Sequence, residues 1–101
     1  MIGETNLEKL ILNINPILDP GRYVFLSFPE SSAFNFTAES VMYFKERDGN
    51  TFVVPESFAV KQGIKYDSVW ALITLNIHSS LEAVGFLAFV TKMLAEAGIP
   101  V

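Results

Sequence analysis

The sequence predicts an α+β fold, with an antiparallel sheet and helices on one of its faces. Two observations carry this. Residues 68–101 read as a strand, a tight polar junction, a long apolar helix and the start of a new strand, which is one βαβ unit cut short at its third element. Val41 to Glu46 and Thr51 to Val54 flank an Asp48-Gly49 turn signal and read as a hairpin. At 101 residues, half of them hydrophobic, the chain can build one domain or two very small ones sharing a core.

In chain order, Thr5-Asn6-Leu7-Glu8 has the pattern of a capping box, with Thr5 accepting from the amide of Glu8. Leu7, Leu10, Ile11 and Ile14 follow at helical spacing, and Pro16 is expected to end that helix. Asp19-Pro20-Gly21 is a turn. Arg22 to Phe28 is the first long strand, apolar on both faces apart from Ser27, and so expected to be covered on both sides. Pro29 to Thr37 is an irregular loop with Phe34 and Phe36 as anchors. In the hairpin, Asp48-Gly49 is expected to supply positive φ angles. Glu56 to Gln62 is a short helix, with Pro55 at its start and Gly63 past its end.

A break falls near Tyr66, giving an N-terminal unit of 1–65 and a C-terminal unit of 66–101. The strand Val69 to His78 then alternates. Val69, Ala71, Ile73, Leu75 and Ile77 point one way and should face helices, while Trp70, Leu72, Thr74, Asn76 and His78 point the other. Trp70 reads as a core or interface anchor. Ser79-Ser80-Leu81-Glu82 is a second capping box, opening a helix expected over Leu81 to Ala97. At about 100° per residue, Glu82, Gly85, Phe89, Lys92 and Glu96 share an arc of roughly 80°, the helix's one polar stripe. Gly98 and Pro100 stop it.

Composition excludes several function classes. The net charge of −4 argues against non-specific nucleic-acid binding, which needs a basic stripe. The absence of cysteine removes disulfides, thiolate metal sites and cysteine nucleophiles. The N-terminus has no basic region followed by an apolar run, and the apolar helix carries Glu82, Lys92 and Glu96. The expectation is a cytoplasmic protein without a membrane span. So much apolar surface under 7 basic and 11 acidic side chains predicts a homodimer.

The candidate site is the strand-to-helix junction. Asn76 and His78 share one face, and Ser79, Ser80 and Leu81 follow at the predicted helix N-terminus, where amides and the helix dipole favour an anion. A carboxylate on the Ser80 and Leu81 amides, with Asn76 and His78 reading another group, suits an amino-acid ligand. Gly85, one turn on, is a close-approach position for ligand or neighbouring backbone. The same residues can also serve as a helix cap alone, and the sequence leaves both readings open. No acid, base and nucleophile constellation is visible, so no enzyme is expected. His78 has neither a cysteine nor a carboxylate at ligand spacing, so no metal is expected.

Residues 81–88 with Leu94 to Ile99 resemble the helix signature of ACT domains, small ferredoxin-like modules of βαββαβ order that commonly bind amino acids in regulated enzymes. The longer run from Trp70 to Gly85, with Gly21 to Phe25 and the Asp48 to Pro55 hairpin, is similar to small stand-alone bacterial proteins with two ACT-like units in tandem. The resemblance implies a ferredoxin-like sandwich, a ligand near the Asn76 to Leu81 junction and at the interface between units, and no cofactor. Members of that family continue with a further strand, hairpin and helix, so the second unit is expected to be incomplete at Val101. The alternative is a ligand-free interaction module acting through assembly.

Overall fold

The computed structural model describes residues 6–77 and 83–101. Two compact units emerge: residues 18–73, and residues 1–17 together with 74–101. The break expected near Tyr66 falls inside the first of these, because Trp70 is hydrogen-bonded in both directions to Tyr23.

The unit of residues 18–73 holds three long strands and a helix. They are β2 (Tyr23–Pro29), β3 (Met42–Lys45), β4 (Gly49–Pro55) and α2 (Glu56–Gln62). The antiparallel sheet has the order β2-β4-β3, with Leu26 opposite Phe52 and Tyr43 opposite Phe52. Trp70 adds a single antiparallel bridge on the free side of β2. The full row is therefore Trp70-β2-β4-β3, the fourth-first-third-second order of a ferredoxin-like βαββαβ fold.

One helix of that fold is replaced. Residues 30–41, between β2 and β3, form turns and not a helix. Asn35 there caps a local turn through its carbonyl oxygen to the Thr37 amide, and the Ser40 hydroxyl donates back to the Phe36 carbonyl. Phe36 does the covering a helix would do. Its ring meets Phe52 at 5.8 Å and Phe58 at 5.1 Å, edge to face. Phe34 lies against Phe28 at 4.8 Å. Both loop phenylalanines therefore act as the anchors the sequence indicated.

The core is one-sided. Val24, Leu26, Phe52, Val54 and Ala59 form it, with α2 and the 30–41 loop on the same face of the sheet. The side chains of β2 alternate, and Phe25, facing the other way, is 48% exposed. The expectation of a strand covered on both faces is thus corrected: among the described residues the core cluster lies on one face, and Phe25 of β2 on the other is half exposed. Thr51 and Val53 of the outer face are nevertheless buried.

Local chemistry sets the ends of α2. Pro55 has the φ of −58° that suits a helix start, and Gly63 closes the helix at φ 70°. The Ile64 amide donates to the Ala59 carbonyl and the Gly63 amide to Val60, the paired bonds of a Schellman motif. The hairpin works differently from expectation. Among the described residues positive φ occurs only at Gly63, Asn76, Gly85 and Gly98, so neither Asp48 nor Gly49 is left-handed. Gly49 is required for another reason: a Cβ there would sit 2.1 Å from the Phe28 carbonyl oxygen of the neighbouring strand.

The other unit contains α1 (Leu7–Leu12) and α3 (Phe86–Glu96). Asn6 accepts from the third amide of its helix, that of Lys9 at 3.1 Å, while Thr5 of the expected capping box lies outside the described residues. The helix ends at Asn13, three residues before Pro16, with the Asn13 side-chain amide on the Lys9 carbonyl. Two short strands, β1 (Ile17–Leu18) and β5 (Ile73–Thr74), pair as a two-stranded sheet, and the division between units runs through both.

Among the described residues, the long strand expected over Val69 to His78 is reduced to β5 and the Trp70 bridge. Asn76 ends the extended run by turning to φ 51°, a conformation Asn tolerates better than most residues. Val69 and Ile73 are exposed and do not form the helix-facing row that alternation predicted.

Candidate functional site

The predicted site divides between described and undescribed residues. His78, Ser79, Ser80 and Leu81, and with them the second capping box, lie outside the described residues. Asn76 is exposed, left-handed and at the end of the extended segment. The Asn15 amide donates to the carbonyl of Leu75 just before it, at 3.2 Å, so the chain is hydrogen-bonded up to the turn.

Gly85 is not inside a helix. Residues 83–85 are non-helical, and Gly85 is the N-cap of α3 with φ 87°. Glycine is needed for that angle. Among the described residues, a Cβ there would meet only Leu7 Cδ2, at an ordinary 3.5 Å, so no atom of Asn76 comes within 4 Å of that point. The expected helix start at Leu81 therefore moves to Phe86, and its end at Ala97 to Glu96. The anion-favouring amides of this helix are those of Phe86 and its successors, and among the described residues no side chain caps them. At the far end, Gly98 adopts φ 74°, and the Ile99 amide donates to Leu94, closing the helix as the sequence indicated.

Residues 18–73 carry two polar clusters that the sequence did not reveal. In the first, Arg22 Nε donates to Glu56 Oε1 at 2.6 Å, and the Tyr66 hydroxyl donates to Glu56 Oε2 at 2.6 Å. The Arg22 hydrogen bond and then the Tyr66 hydrogen bond hold the Glu56 carboxyl below the usual carboxylate range, and burial opposes them. Tyr66 is pushed up in turn, chiefly by the same bond. This cluster fixes the entry of α2 and the segment after it. A glutamate in the first turn of a predicted helix was its only sequence signal, since its partners lie 34 and 10 residues away.

In the second cluster, the Thr51 hydroxyl donates to Glu46 Oε1, and Ser27 Oγ lies 2.8 Å from Thr51 Oγ1. With the Thr51 proton used on a carboxylate, Ser27 is the donor of the second bond. A shallow cleft of about 270 Å³ lies beside them, lined also by Asp48, Gly49 and Asn50. Among the described residues no group of three or more His, Cys, Asp or Glu could hold a metal ion. Among them, too, no helix is long and apolar enough to cross a membrane.

Against this geometry stands a match to the family model of the ACT domain over residues 2–71. The chain belongs to the ACT-domain family. The matched span reaches through Trp70, the fourth-strand position of the sheet, so family and fold agree on the same residues. ACT domains are regulatory, small-ligand-binding modules and not catalysts. No curated protein matches the chain. Among solved structures, this ACT domain is similar to a Vibrio cholerae protein of unknown function, a possible transport protein, with 34% identity and a TM-score of 0.75. The match covers 96% of this chain and 76% of that one.

Proposed function

We propose that this ACT domain binds an amino acid at the segment joining β5 to α3 and works as a cytoplasmic homodimer. Asn76, His78, Ser79, Ser80, Leu81 and Gly85 are the proposed ligand residues. The observation that carries the reading is Asn76 at φ 51°. A non-glycine residue in the left-handed region costs energy, and such positions gather where a ligand is held. The N-terminus of α3, where the N-cap is a glycine without a capping side chain, supplies amides for a ligand carboxylate. Binding would change how two copies pack, and any output would pass through a partner protein.

Thermal-shift screening against the amino acids tests this. At least one should raise Tm, and Asn76→Ala and His78→Ala should remove that rise. Unchanged binding in both variants would place the site elsewhere. A second reading, a ligand-free assembly module, draws on the exposed outer face of the sheet at Phe25, Met42, Phe44 and Trp70. It expects a dimer by light scattering and no thermal shift with any amino acid.

A further inference from the structure

The free edge of β2 is more than a margin of the sheet. The Val41 amide donates to the Val53 carbonyl at 2.8 Å, so the odd-numbered residues of β4 serve β3. The even-numbered ones, Asn50, Phe52 and Val54, are left for Phe28, Leu26 and Val24 of β2. The N–H and C=O groups of Phe25 and Ser27 therefore point away from β4. Tyr23 points the same way and is satisfied there. Its amide donates to the Trp70 carbonyl at 2.9 Å, and the Trp70 amide returns a bond at 2.7 Å. Past Tyr23 the row is open: among the described residues, the backbone groups of Phe25 and Ser27 have no partner on that side.

An antiparallel continuation from Tyr23 and Trp70 would set Ser68 opposite Phe25 and Tyr66 opposite Ser27. The chain does not fall into those places because it is held elsewhere. The Ile64 amide is committed to the Ala59 carbonyl at 3.0 Å, and the Tyr66 hydroxyl to Glu56 at 2.6 Å. Both side chains pack on the core. The two segments diverge around a cleft of about 350 Å³, lined by residues 25–28 and 64–67.

We infer that this cleft receives an extended peptide segment of a partner protein, added as a strand that continues the ladder Trp70 begins. Two donors and two acceptors, alternating along one edge at roughly 7 Å per two residues, complement an extended backbone. A free amino acid offers one amine and one carboxylate and cannot span them. Alternate side chains of the incoming strand meet Leu26, Phe28 and Tyr66 on one face and Phe25 on the other, so apolar residues suit both. Lys65 and Asp67 on the rim cancel in charge, so the partner segment is selected by shape and backbone. The inference stands apart from the amino-acid site, since neither Asn76 nor Gly85, its described residues, lines this cleft.

The test uses the full chain and a panel of capped, fluorescein-labelled hexapeptides alternating Val, Ile or Phe with Thr. At least one should bind saturably by anisotropy. Two derivatives of that peptide, N-methylated on one or the other alternate set of amides, should separate: one loses affinity at least tenfold and the other stays within twofold. Ser27→Pro, which removes one edge donor and is tolerated on a free edge, should also weaken binding at least tenfold. The Phe25 and Ser27 amides should exchange fast in the free protein and gain protection with peptide. Absence of binding across the panel, equal behaviour of the two methylated forms, or protection of these amides without peptide, as a second copy in the cleft would give, each overturns the inference.

Discussion

The Tyr66 hydroxyl and the Glu56 carboxylate meet at 2.6 Å, and through that bond the segment following α2 is tied to the helix's first turn. Arg22, at the entry to β2, holds the other oxygen. Three places distant in sequence are thus joined on one carboxylate. Because the folded-state value of Glu56 lies below its unfolded one, its contribution is complete above the unfolded range and is lost as pH falls through the folded value. Thermal melts of the wild type should therefore drop as pH goes from about 5 toward 3, through and below the ordinary glutamate value of about 4.3. Glu56→Gln should lower Tm at pH 7 and flatten that acid slope. An equally steep slope in the variant would assign the acid sensitivity to other carboxylates.

The close approach of Gly49 to β2 gives a second prediction. Gly49→Ala places a methyl 2.1 Å from a backbone oxygen, which cannot move without parting β2 from β4. Overpacking of this kind costs about 1–3 kcal/mol. Gly63→Ala is the control, because nothing lies within 4 Å and only the φ of 70° is strained, at about 1 kcal/mol. Urea denaturation of the two variants should rank Gly49→Ala as the more destabilised. The reverse order would mean that the turn relaxes around the new methyl.

The one-sided core makes a further pair of variants informative. Phe52 is 2% exposed and touches rings from the 30–41 loop, β2 and β3. Phe52→Ala should cost about 3–5 kcal/mol. Phe25, in the next strand but on the outer face, keeps one edge-to-face contact with Trp70 at 5.9 Å. Phe25→Ala should cost no more than about 1.5 kcal/mol in denaturant melts. A loss at Phe25 as large as that at Phe52 would show that the outer face is covered in solution.

These contrasts mark how far the sequence could be read. Where a local rule governs, the reading was close. The limits of α2 follow from Pro55 and Gly63, the α3 stop from Gly98, and the loop anchors from two phenylalanines in a polar stretch. The fold class followed because the hairpin and the strand-to-helix transitions are also local signals. The apolar alternation of Val69 to Ile77 misled, since it records burial pattern and not whether a partner strand runs alongside. The turn at Asn76 interrupts that pattern without a visible break. The two faces of β2 carry similar side chains, so the number of covering layers could not be told from them. The Arg22–Glu56–Tyr66 cluster depends on three segments meeting, and no spacing encodes it. In the candidate site, the left-handed Gly85 sets the start of α3, a role no local pattern announces, while Ser79 to Glu82, which have the form of a cap, lie outside the described residues.

Asn76 permits a test that separates backbone from side chain. At φ 51°, Asn76→Gly removes the amide group but keeps the conformation, whereas Asn76→Ala removes the amide and opposes the conformation. If the residue serves only to turn the chain, Asn76→Gly should match wild-type stability and keep any amino-acid thermal shift, while Asn76→Ala should lose about 1 kcal/mol. If its side chain contacts a ligand carboxylate or amine, both variants should lose the shift, and Asn76→Gly should do so with baseline Tm unchanged. The second pattern is the one expected here. Retention of the shift in Asn76→Gly would remove Asn76 from the ligand residues and leave it as the turn that positions the segment before α3.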